Sequence, residues 1–96
     1  MSTQVELEEH LKRVKPHITE KFRVRRIGYF GSFATGEQTE NSDVDLLVEF
    51  SETPGWEFFD LQEFLEETLK RKIDLVTVGA LRSQMRDLVL SQVRYI

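Results

Sequence analysis

The sequence predicts a small α/β domain of the α+β type: a mixed sheet of about three strands with helices packed on it. Three observations carry this. Apolar residues recur at helical spacing near both ends and in the middle of the chain. Three short apolar or β-branched runs, Val24 to Phe30, Asp43 to Phe50 and Lys72 to Val78, lie between those segments. Helices and strands alternate along the chain instead of falling into blocks. Ninety-six residues suit one domain, residues 1–96.

Each element has its own signal. Thr3-Gln4-Val5-Glu6 has capping-box spacing and opens a helix carrying Leu7, Leu11, Val14 and Ile18. Pro16 interrupts it, either kinking this helix or starting a second one. The first strand ends at Gly31. In the second, Val44, Leu46, Leu47 and Val48 form a continuous apolar centre, which implies burial on both faces and a central place in the sheet. Glu52-Thr53-Pro54-Gly55 is turn chemistry. Trp56 to Leu69 reads as a helix with Phe58, Leu61, Phe64, Leu65 and Leu69 on one face. Gly79 closes the third strand, and Ala80 to Val93 reads as a last helix with Leu81, Met85, Leu88, Val89 and Val93 as its stripe.

Composition narrows the function. The chain is 40% hydrophobic and 31% charged, as expected of a folded domain. It has no cysteine, which excludes disulfides and thiolate metal sites. No apolar run nears the roughly 20 residues of a membrane span, and the N-terminal residues lack signal-peptide regions, so a cytoplasmic location is expected. The net charge of −4 argues against strong direct binding of nucleic acid. Lys21, Arg23, Arg25 and Arg26 form a local basic cluster, read as a solvated helix end or as a contributor to triphosphate or partner binding. His10 and His17 lack metal-ligand spacing and read as surface positions. Trp56, Phe58 and Phe59 read as core or interface.

The chemistry concentrates in GSFATGEQTENSDVDLLVEF, residues 31–50. Side chains at i and i+2 of a strand share a face, so Asp43 and Asp45 point together, their Cα atoms about 6–7 Å apart. Two such carboxylates suit one Mg²⁺ or a bridged pair, because Mg²⁺ takes oxygen ligands and is commonly shared between carboxylates and substrate phosphates. Asp45 lies within an apolar strand, where an unpaired carboxylate is costly and a cation would offset the cost. Gly31 permits a sharp turn and close approach of a phosphate. If Ser32 opens a short helix, its amide and hydroxyl face an incoming anion, and Gly36 ends that helix. Ser42-Asp43 also has the form of plain turn chemistry at a strand start. Asp74, in Ile73-Asp74-Leu75-Val76, is a third carboxylate. If its strand neighbours the Asp43–Asp45 strand, it completes the metal site or accepts a proton from an attacking hydroxyl.

Gly31, Ser32, Gly36, Ser42, Asp43 and Asp45, with Gly-Ser, a ten-residue gap and Asp-X-Asp, resemble the signature of the DNA-polymerase-β-like nucleotidyltransferases. Over nearly the whole chain the sequence is most similar to the minimal nucleotidyltransferases. The resemblance implies Mg²⁺-dependent transfer of a nucleoside monophosphate from a triphosphate to a hydroxyl, with release of pyrophosphate. It implies metal ligation by Asp43 and Asp45, joined by Asp74 or with Asp74 as base. It assigns nucleotide binding to Gly31, Ser32, Gly36 and Ser42. It also implies a hetero-oligomer with a HEPN-domain toxin, which the chain would neutralise as antitoxin by moving AMP from ATP to a tyrosine. One departure is plain: many relatives carry an arginine before the position of Gly36, and here that stretch is Phe33-Ala34-Thr35. The alternatives are a non-catalytic module that occludes the partner, and transfer to RNA or a small molecule.

Overall fold

In a computed structural model, which describes residues 2–96, the chain forms α1 (Gln4–Phe22), β1 (Val24–Phe30), α2 (Ser32–Thr35), β2 (Val44–Phe50), α3 (Glu57–Leu69), β3 (Ile73–Thr77), a 3-10 turn (Val78–Ala80), α4 (Ser83–Gln92) and β4 (Arg94–Tyr95). The sheet order is β3-β2-β1-β4. β2 pairs antiparallel with β1 and parallel with β3, so the sheet is mixed and the apolar β2 is internal, as its composition predicts. β4 is the strand that sequence reading missed: only two residues long, it pairs Gly28 with Tyr95 and Tyr29 with Arg94. Glycine is required at 28, because a Cβ there would stand 2.7 Å from the Arg94 carbonyl oxygen and 2.8 Å from Val93 Cγ2.

The two faces of the sheet are unequally covered. Leu7, Leu11, Ile18 and Phe22 of α1, Phe33 of α2, and Leu61, Leu65 and Leu69 of α3 pack on Ile27, Tyr29, Val44, Leu46, Val48, Ile73 and Leu75. The opposite face carries a small cluster of Phe30, Leu47 and Val89, with α4 as its only helix among the described residues. Removing large aliphatic side chains from water is the main favourable term, about 1.5–3 kcal/mol each, so the α1–α3 layer holds the fold.

The capping box is formed: Thr3 Oγ1 accepts from Glu6 N–H at 3.1 Å, and Glu6 Oε1 accepts from Thr3 N–H at 3.2 Å. Pro16 starts no second helix; α1 continues past it because Ile18 and Phe22 remain in the core. The last helix starts later than its apolar pattern suggests. Gly79 favours helix poorly, and Leu81 and Arg82 are extended, so α4 begins at Ser83. Its expected stripe is split: Val89 is buried, whereas Met85 and Leu88 are exposed. Helical periodicity cannot say how much sheet lies beneath a helix. Among the described residues no helix is long and apolar enough to cross a membrane.

Candidate active site

Parallel pairing of β2 with β3 sets Asp45 directly opposite Asp74, between the pairs Val44–Ile73 and Leu46–Leu75. Both aspartates project to the face opposite Val44, Leu46, Ile73 and Leu75, away from the α1–α3 layer. Asp43 precedes β2 by one residue and lies near enough to Asp45 to repel its charge. The conditional reading of Asp74 as a neighbour of the Asp43–Asp45 strand is thus met by the topology.

Asp45 is half-buried, whereas Asp43 and Asp74 are exposed. Burial, followed by repulsion from Asp74, a hydrogen bond with Asp74, and repulsion from Asp43, raises the Asp45 pKa to about 6. Each cause penalises the ionised carboxylate or favours its protonated form. The site concentrates negative charge, and a cation would relieve it. Among the described residues no three His, Cys, Asp or Glu side chains stand ready to enclose a metal ion. The donors that the structure does bring together are the Asp45 and Asp74 carboxylates, and such a pair suits a Mg²⁺ whose other ligands are water and substrate phosphate.

Gly31 meets the same carboxylate from β1. It adopts φ +68°, and an added Cβ would fall 2.3 Å from Asp45 Oδ2. Only a residue without a Cβ lets the turn and the carboxylate approach this closely. Ser32 opens α2, whose Ala34 and Thr35 amides bond the Gly31 carbonyl at 3.0 and 3.1 Å. Gly36 ends α2 at φ +81°. Ser42 lies in the loop before β2, where its Oγ accepts from Thr39 N–H at 2.8 Å.

Other residues hold this arrangement from a distance. Gln4 Nε2 of α1 donates to the Phe33 carbonyl at 2.9 Å. Gln92 Oε1, at the end of α4, accepts from Gly31 N–H at 3.4 Å. Arg71 Nη2 donates to the carbonyls of Ser42 and Thr39 at 2.6 and 3.1 Å. Sequence reading missed all three, and no local pattern marks them, since each acts on a segment about 30 or more residues away.

The basic cluster lies elsewhere. Arg25 and Arg26 pair with Glu49, Arg23 pairs with Glu52, and the Arg26 guanidinium stacks 3.7 Å from the Tyr95 ring centroid. Arg26 and Arg23 stand four and seven residues before Phe30, about 13 and 23 Å along the chain from the Phe30–Asp45 pair. The three arginines make ion pairs there, and Lys21 lies over the Phe22 ring. A concavity of about 670 Å³, lined by Phe50, Pro54, Thr77 and Gly79 among others, also lies at that far end and contains none of the three aspartates.

Comparison with known proteins places the chain in a family. A profile described as a nucleotidyltransferase domain matches residues 11–95. The protein adenylyltransferase MntA of Thermococcus cleftensis is 43% identical over 97 residues, covering 100% of this chain and 98% of its own. A solved minimal nucleotidyltransferase superposes with TM-score 0.82 at 30% identity, covering 96% of this chain and 94% of that one. At the level of fold alone, a chain of the complex of tri-AMPylated Shewanella oneidensis HEPN toxin with MNT antitoxin gives TM-score 0.58 at 19% identity, covering 96% of this chain and 66% of that one. The chain belongs to the nucleotidyltransferase-domain family, in its minimal nucleotidyltransferase branch.

Proposed function

We propose that this chain transfers AMP from ATP to a tyrosine hydroxyl of a partner HEPN toxin, with Mg²⁺, and thereby acts as its antitoxin in the cytoplasm. The observation that carries the reading is the Asp45–Asp74 pair, in register on adjacent strands, with Asp45 pressed against the Gly31 turn. The likeness to the adenylyltransferase MntA supports AMP as the transferred group. The likeness to the AMPylated toxin–antitoxin complex supports the partner.

Asp43, Asp45 and Asp74 are the residues that would hold the metal, which supplies neutralisation of charge on the triphosphate oxygens. Gly31 lets the turn close onto the Asp45 carboxylate, and the Ser32 amide and hydroxyl would donate to phosphate oxygens. Gly36 and Ser42 shape the ends of the segment that joins this turn to the aspartates. In the reaction the tyrosine oxygen bonds to the α-phosphorus, the α–β bridging bond breaks, and pyrophosphate leaves. Asp74, exposed beside Asp45, completes the ligand set or takes the phenolic proton.

A second reading, neutralisation by occlusion without catalysis, is favoured by Trp56 and Phe59. They stand 80% and 61% exposed with ring centroids 6.1 Å apart, a surface suited to protein contact. Label transfer separates the two. With ATP labelled at the α-phosphate, Mg²⁺ and a HEPN-domain partner, the partner should gain label on tyrosine, and γ-labelled ATP should leave none. A partner that is bound but stays unlabelled supports occlusion.

A further inference from the structure

We infer that Arg71 is a positioning residue for Asp43, fixing the backbone on its N-terminal side while the adjoining Lys72 fixes the C-terminal side. Asp43 lies outside regular structure, at the end of the loop that follows α2. The peptide before it ends in the Ser42 carbonyl, which accepts from Arg71 Nη2 at 2.6 Å. The peptide after it donates through Val44 N–H to the Lys72 carbonyl at 2.9 Å. Both flanks of Asp43 are thus fastened to two consecutive residues, and Asp74 lies two positions further along the same segment.

The clamp is built for orientation. Ser42 and Thr39 close their own turn: Ser42 N–H donates to Thr39 O at 3.1 Å and Thr39 N–H to Ser42 Oγ at 2.8 Å. That closure is consistent with both carbonyls being offered to one nitrogen of Arg71. The guanidinium carbon stands 5.4 Å from the ring centroid of Phe33, which is wholly buried in α2. A planar fork can stack on the ring and donate to the carbonyls at once, whereas the point charge of lysine cannot reproduce both contacts. Arg71 therefore links the Gly31–Gly36 segment, the Asp43 loop and the Asp74 strand. In giving Asp43 a metal, the inference rests on the reading above.

The test uses Arg71→Ala and Arg71→Lys in the full chain, with two readouts. The first needs no metal: amide hydrogen exchange at Val44 should quicken about tenfold or more in both variants, as a local opening would. The second is Mn²⁺ affinity followed by electron paramagnetic resonance. It should weaken about tenfold in Arg71→Ala, in the range for residues that support metal ligands. Asp43→Asn should weaken it as well, and adding Arg71→Ala to Asp43→Asn should cost nothing further. A merely structural role would lower the melting temperature and weaken Mn²⁺ binding equally in both backgrounds. Unchanged Val44 exchange in the folded lysine variant overturns the inference, as does wild-type Mn²⁺ affinity in Arg71→Ala where Asp43→Asn has lost it. If Asp43→Asn itself leaves Mn²⁺ binding intact, the metal reading fails, and Val44 exchange still decides the role of Arg71.

Discussion

Gly31 and Asp45 are packed so closely that a single methyl group on the first would overlap the carboxylate of the second, 2.3 Å from Oδ2. The contact joins the end of β1 to the start of β2 and sets where a phosphate and a carboxylate-bound cation could meet. Gly31→Ala should therefore damage both stability and transfer. A φ of +68° costs a non-glycine residue about 1–3 kcal/mol, and the carboxylate must also move. Thermal melting should show a loss of several degrees, and nucleotidyl transfer should fall at temperatures where the variant is still folded. Wild-type transfer in folded Gly31→Ala would remove this contact from the site's design.

The raised pKa of Asp45 has a thermodynamic consequence. Its folded value of about 6 exceeds the ordinary 3.8, so the folded state binds the proton more tightly. The stability this contributes is fully present below pH 3.8 and is lost as pH rises through about 6. Asp45→Asn should accordingly stabilise the metal-free chain at pH 7.5 by about 1 kcal/mol, a figure discounted for solvent screening. The gain should vanish toward pH 4. Denaturant titrations at both pH values check the sign. An Asn variant less stable than wild type at pH 7.5 would contradict the charge-crowding account.

Asp74 is exposed, so its removal should leave the fold intact while lowering turnover. Loss of a general base typically costs about 10²–10⁴-fold. Asp74→Asn should fall in or below that range, with a melting temperature within a few degrees of wild type. Steady-state rates on the same folded preparation measure this, and near-normal turnover would take Asp74 out of the chemistry.

Gly28 tests the edge of the sheet. Gly28→Ala places a methyl group against the Arg94 carbonyl and Val93, which pushes β4 away from β1. Overpacking of this kind costs about 1–3 kcal/mol. Gln92 immediately precedes Val93, so the Gly31–Gln92 contact should loosen too. Amide exchange at Ile96, which donates to the Ile27 carbonyl at 2.9 Å, reports the displacement directly.

How much of this was legible in the sequence follows from the range of the forces involved. The alternation of helices and strands and the internal place of β2 follow from local periodicity, and both are present. The pairing of Asp45 with Asp74 spans 29 residues, and local pattern could state it only as a condition. β4 was invisible because two residues carry no period. Met85 and Leu88 have core spacing yet face solvent, because the uncovered sheet face beneath α4 is small. The absence of a basic residue in Phe33-Ala34-Thr35 was readable, whereas the guanidinium of Arg71 above Phe33 was not.

The central claim is that these carboxylates support AMP transfer to a partner protein, and intact mass spectrometry tests it most directly. The partner HEPN protein is incubated with ATP, Mg²⁺ and either this chain or its Asp43→Asn, Asp45→Asn double variant, each shown to be folded. The account predicts one or more AMP additions with the natural chain and none with the double variant. A partner of unchanged mass with the natural chain, or equal AMP addition by both, would contradict it.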